Sequence, residues 1–128
     1  MTRQQVEAWI RAYERAWRTP GTDALSELFT ERATYRLSPY QDPVVGLEEI
    51  GAMWERERAG PDEVFEMTSD VFAVDGDRAV VSVEVHYGDP VRPEEFRDIW
   101  LLRFEDGLCA HFEEWAYWPD KPYTAPRS

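Results

Sequence analysis

Val6, Trp9, Ile10, Tyr13 and Trp17 recur at steps of three and four, the stripe of an amphipathic helix that ends before Thr19-Pro20-Gly21. Thr22 or Asp23 follows as a cap for a second, short helix, ALSELF, which should stop near Thr30. Ala33 to Leu37 reads as a short strand, and Ser38 to Pro43 as a loop, because Pro39 and Pro43 restrict their own φ and that of the residue before. Leu47, Ile50, Met53 and Trp54 return to helical spacing and predict a third helix ending at Gly60-Pro61.

From there the period changes. Phe65 to Val74 and Ala79 to Tyr87 read as strands around Asp75-Gly76-Asp77, with Val81, Val83, Val85 and Tyr87 alternating against Ser82, Glu84 and His86. Gly88-Asp89-Pro90 and Pro93 make the next connection. Two apolar runs then flank Glu105-Asp106-Gly107, and Asp-Gly accepts the positive φ of a tight hairpin turn. Alternation puts Phe96, Asp98, Trp100, Leu102 and Phe104 on one face with Ala110, Phe112, Glu114, Ala116 and Trp118. The other face carries Arg97, Ile99, Leu101 and Arg103 with His111, Glu113, Trp115 and Tyr117. Both faces are largely apolar, so each should cover something: a core or cavity inside, a partner surface outside.

Helices gathered at one end of a run of antiparallel strands define an α+β architecture, a cone-shaped half-barrel whose strongly curved, mostly antiparallel sheet wraps three N-terminal helices. A pocket is expected between the first helix, the third helix and the concave face. The 128 residues suit one domain, with 119–128 as an extended tail.

Composition narrows the function. Apolar residues at 43% and aromatics at 14% are too rich for a disordered chain. A net charge of −12 argues against nucleic acid and anionic membrane as partners. The start, MTRQQVEAWIRAY, lacks the apolar stretch of a secretory signal, and the single cysteine, Cys109, allows no internal disulfide, so a cytoplasmic location is expected. Cys109 reads as packing within a strand.

The chemistry centres on Asp98, a carboxylate placed among aromatics, where ionisation is expensive. Glu114 joins it on the facing strand, at or near the opposite position, if the register keeps Glu114 rather than Glu113 inside. Two acids in one apolar pocket do not both ionise cheaply, which raises a pKa toward that of a general acid near pH 7. Tyr13 would add a phenol donor to a substrate oxygen or to Asp98. The structural alternative is that one carboxylate only satisfies Tyr13 or an indole N–H. Trp17, Tyr35, Trp54, Val83, Val85, Phe96, Trp100 and Phe112 are the expected walls, suited to a flat, apolar small molecule. His86 and His111 alternate outward, and no metal-ligand spacing or phosphate-binding glycine loop occurs, so neither metal nor cofactor is expected.

The segments AYERAWRTPGTDALSELFTERATYRLSP, GLEEIGAMW, FEMTSDVFAVDGDRAVVSVEV and DIWLLRFEDGLCAHFEEW together resemble the nuclear-transport-factor-2-like superfamily, and within it the SnoaL-like group. The resemblance implies the half-barrel and a small-molecule pocket, but not one activity, because the fold hosts isomerases, cyclases, dehydratases, hydrolases and non-enzymatic adaptors. Ketosteroid isomerase, with its oxyanion hole of a tyrosine and a protonated aspartate, is the informative comparison. Tyr13 matches the helix-one tyrosine. The general-base position falls on Leu37, beside Ser38, and the oxyanion-hole aspartate falls on Trp100, so steroid isomerisation by that mechanism is not expected. Limonene epoxide hydrolase uses two aspartates and an arginine; here Arg97 and Arg103 alternate outward. Three readings remain: a cofactor-independent acid/base enzyme, a non-catalytic binding module, or an interaction protein that dimerises through its outer sheet face.

Overall fold

The computed structural model describes residues 1–58, 64–88 and 94–119, apart from the Glu94 side chain. Helix α1 (Arg3–Arg18) starts with a capping box: the Thr2 hydroxyl accepts from the Gln5 N–H, and the Gln5 side chain accepts in return from the Thr2 N–H. Its stripe of Val6, Trp9, Ile10, Tyr13 and Ala16 is buried. Helix α2 (Leu25–Leu28) is a single turn. Neither Thr22 nor Asp23 caps it; the N-cap is Ala24, without a side-chain hydrogen bond. The turn ends early because Phe29 already belongs to β1 (Phe29–Arg36), which begins four residues before the expected strand.

Directly after the proline-flanked loop, Val44–Val45 forms β2, a two-residue strand antiparallel to β1 that is too short to show in the sequence pattern. Gly46 then turns the chain into α3 (Leu47–Glu57) at φ 90°, ψ 157°, a backbone region open almost only to glycine. Gly46→Ala should therefore lower stability by about 1–3 kcal/mol. A urea titration checks this, and an unchanged midpoint would mean the loop relaxes freely. Helix α3 ends at Glu57, and the expected stop at Gly60-Pro61 lies outside the described residues, as do residues 89–93 and 120–128.

Strands β3 (Phe65–Asp75), β4 (Arg78–Tyr87), β5 (Glu94–Glu105) and β6 (Leu108–Tyr117) form an antiparallel meander. The sheet is mixed, curved and unclosed, in the order β2-β1-β6-β5-β4-β3, because β1 joins β6 in parallel. One contiguous core fills its concave side, with Trp54, Trp100, Phe29 and Phe112 among the most deeply buried side chains.

The last hairpin fixes the faces. Asp106 and Gly107 both take positive φ, 51° and 83°, between the paired residues Glu105 and Leu108, as a two-residue primed turn requires. Regular pairing from that turn would set Glu113 opposite Trp100. Instead Phe104 pairs with Cys109 and Arg103 with His111, so Ala110 is an extra residue in β6. This bulge shifts the rest of the strand by one position, setting Trp100 against Glu114 and turning Glu113 outward.

An acid in an aromatic cavity

Where α1, α3 and the concave face diverge, they leave a cavity of about 210 Å³. Asp98 and Trp100 of β5 and Glu114 of β6 share its wall with Tyr13 and Trp17 of α1, Tyr35 of β1, Trp54 of α3, Val85 of β4 and Phe96 of β5. Of the walls expected from sequence, two lie elsewhere. Val83 is 1% exposed and Phe112 0%, both in the packed core. Phe112 is held there by stacking, 4.3 Å from the Tyr35 ring centroid and 5.4 Å from that of Tyr13. Leu37, Met53, Glu57, Phe65, Met67, Tyr87 and Ala116 also line the space without having been singled out. Some had a signal: Glu57 follows Met53 by one helical turn, and Tyr87 continues the inward alternation of Val81, Val83 and Val85.

Asp98 is 5% exposed, and its Oδ1 has no hydrogen-bond partner among the described residues. Burial is the main reason its carboxyl is pushed up to about 10, with hydrogen bonding and negative charge from Glu114 adding to the effect. The acid is thus protonated across the neutral range. Glu114 does not sit opposite it: Asp98 pairs with Ala116 and Trp100 with Glu114, so the two acids are diagonal neighbours. Glu114 Oε2 accepts from the Trp100 indole N–H at 3.1 Å, which holds the ring in the wall.

Tyr13 turns its hydroxyl to Tyr35, 3.0 Å away, rather than donating to Asp98. Burial, and next the charge of Glu114, hold the Tyr13 phenol well above its usual range. Burial, and next Tyr13, do the same for Tyr35. Both phenols therefore remain neutral donors. Leu37 and Trp100 occupy the cavity wall, so the positions matched to the two ketosteroid isomerase aspartates are apolar here.

The outer face carries a separate polar group. Glu113 accepts from the Trp115 indole at 2.7 Å and lies 3.3 Å from His111 Nε2 and 3.7 Å from Arg36, while His111 Nδ1 is 2.6 Å from the Thr34 hydroxyl. Burial pushes the Glu113 carboxyl up, but hydrogen bonds from Trp115 and His111 and the charge of Arg36 outweigh it and hold it below the usual range. Arg97 and Arg103 are exposed at 71% and 38% and pair with glutamates, away from the cavity. Cys109 is fully buried, and burial pushes its thiol up to about 12, so it is unreactive at neutral pH.

A curved, unclosed sheet wrapped around helices, with a small cavity where they diverge, defines an α+β fold of the nuclear-transport-factor-2-like type. The SnoaL-like domain model matches residues 9–112, most of the chain, and the protein belongs to that family. It is similar in fold to a candidate SnoaL-like polyketide cyclase from Jannaschia sp., at 21% identity and TM-score 0.73 over 88% of this chain and 85% of that one. A protein from Mycobacterium tuberculosis matches at 14% identity and TM-score 0.73, over 94% and 96% of the two chains. A candidate ketosteroid isomerase from Kribbella flavida matches at 25% identity and TM-score 0.65, over 98% of this chain and 84% of that one. No curated protein matches the sequence. Among the described residues, no helix is long and apolar enough to cross a membrane.

Proposed function

We propose that the protein is a cofactor-independent acid/base enzyme, of the isomerase, cyclase, dehydratase or hydrolase type, acting on a small molecule with an apolar body. The observation that supports this most is Asp98: a carboxyl group that keeps its proton at neutral pH while one oxygen goes without a partner in a cavity wall. A buried acid of this kind donates to a substrate oxygen or nitrogen and then, once ionised, takes a proton from carbon or water. Glu114 serves as a positioning residue, since its Oε2 already accepts from Trp100. The Tyr13–Tyr35 hydroxyl pair offers the second polar contact, and the surrounding rings exclude water. Membership of a family whose structural neighbours include candidate cyclases and isomerases is consistent with this reading.

Carbon-13 NMR of aspartate-labelled protein tests it, with Asp98→Asn used to assign the resonance. The Asp98 carboxyl carbon should keep the shift of a neutral acid at pH 7. Turnover of any substrate found should vanish in Asp98→Asn and persist in Glu48→Gln, an exposed site on α3 away from the cavity wall. An ionised Asp98 at pH 7 would reduce the cavity to a binding module.

We propose also that the outer sheet face meets a second copy of the chain. Ile99, Leu101 and Trp115 remain partly exposed there and Tyr117 is 37% exposed, a contiguous apolar strip on a strongly charged protein. Sedimentation at micromolar concentration should show a dimer, and Leu101→Glu a monomer; a monomeric parent protein would reject the interface.

A further inference from the structure

We infer that the cavity selects an organic cation, an ammonium group carried on an apolar body; this deepens the enzyme reading above and rests on it in using the same cavity. Helices α1 and α3 and strands β1, β3, β4 and β5 each bring at least one aromatic ring to the wall. Among the described residues, its wall carries three carboxyl groups, those of Glu57, Asp98 and Glu114, from three different elements. Among the described residues, no Lys, Arg or His side chain borders it.

That combination separates ligand charges. The face of an aromatic ring carries the negative part of its quadrupole and attracts a cation lying over it. An anion would meet the same faces and three acids with no base. A neutral apolar molecule would gain nothing from the acids, whose placement in an aromatic wall costs free energy that a positive charge repays. The rings around this space already attract cations from the protein: the Arg18 guanidinium lies 3.9 Å from the Phe65 centroid and that of Arg58 lies 5.4 Å from Trp17. Each of these arginines brings its own counter-charge, Arg18 with Glu14 at 2.9 Å and Arg58 with Glu55 at 3.2 Å. Among the described residues, the acids of the cavity have no such partner.

A bound cation also acts on Asp98. The titratable groups that share the wall with it are Tyr13 from α1, Tyr35 from β1, Glu57 from α3, Tyr87 from β4 and Glu114 from β6; β3 contributes only Phe65 and Met67. None is basic, so a cationic ligand would bring a positive charge that no described residue of the wall supplies. It offsets the repulsion from Glu114 and draws Asp98 toward its ionised form, the form that acts as a base. The substrate would then help to generate the group that attacks it.

Isothermal titration at pH 7 with (3-hydroxyphenyl)trimethylammonium and with 3-tert-butylphenol, which has the same shape but no charge, tests the inference. The ammonium should bind at least tenfold more tightly. Glu114→Gln keeps an oxygen acceptor for the Trp100 indole while removing the charge, and should weaken the ammonium at least fivefold without changing the phenol. Equal or tighter binding of the phenol overturns the inference and leaves the acid-enzyme reading intact. Binding of neither probe also overturns it, and the enzyme reading is then decided by the Asp98 carbon shift alone. Because the two probes are compared on the unaltered protein, a variant that fails to fold does not remove the test.

Discussion

Asp98→Asn should stabilise the protein, and by an amount that grows with pH. In the unfolded chain the carboxyl titrates at its ordinary value of 3.8; in the folded chain burial and Glu114 raise it to about 10. Between those values the folded state holds a proton that the unfolded state has released. Stability therefore falls as pH rises through this window, by up to about 1.4 kcal/mol per unit for one proton. Asparagine keeps the shape and ends the penalty. Urea unfolding of both proteins at pH 4, 6 and 8 should give curves that nearly coincide at pH 4 and separate progressively above it. A constant difference across the series would mean that Asp98 ionises in the folded protein, and the proposed acid would be lost. A gain in stability on removing the reactive group is the pattern expected where a site carries strain for function.

Phe112→Ala should cost about 3–5 kcal/mol, the range for truncating a buried aromatic side chain. Its ring is fully buried, stacked on Tyr35 at 4.3 Å and on Tyr13 at 5.4 Å, and it tilts against Trp100 at 4.9 Å. Removing it takes support from three cavity-lining side chains together, so the midpoint of urea unfolding should fall sharply. Phe96→Ala makes the contrast. Phe96 lines the cavity and is only partly buried, so its loss should change stability much less and ligand affinity more. If the two variants were equally mild, the stacked column would not be the mechanical support of the site.

Much of the fold was legible because it rests on local signals. The α1 stripe, the Asp106-Gly107 turn and the inward alternation of β4 and β5 are each written within a dozen residues. The missing parts depend on contacts between distant segments. Strand β2 exists because Val44 and Val45 find the edge of β1, and β1 begins at Phe29 because β6 lies beside it in parallel. Periodicity carries no trace of either. The same limit applies to the site. Asp98 stood out because an acid among aromatics is conspicuous, whereas the Tyr13–Tyr35 hydroxyl contact spans 22 residues, and Phe112 has the same inward parity whether it ends in wall or core. Strand parity tells inside from outside; depth is decided by what arrives from the other layer.

The bulge at Ala110 makes register, rather than composition, the variable that decides which acid the cavity receives. Glu113 and Glu114 are identical in chemistry and adjacent in sequence, yet one is held by Arg36, His111 and Trp115 on the convex side while the other accepts from Trp100 within. Pairing the unaltered strand without the bulge would exchange their addresses without altering a single side chain. It would carry His111 inward in place of Phe112, bringing an imidazole where a phenyl ring had been. Deletion of Ala110 would instead straighten the strand and leave Phe112 against Leu102 and Glu114 against Trp100, so the acid that the cavity receives is fixed by whether the strand buckles and not by how many residues it holds.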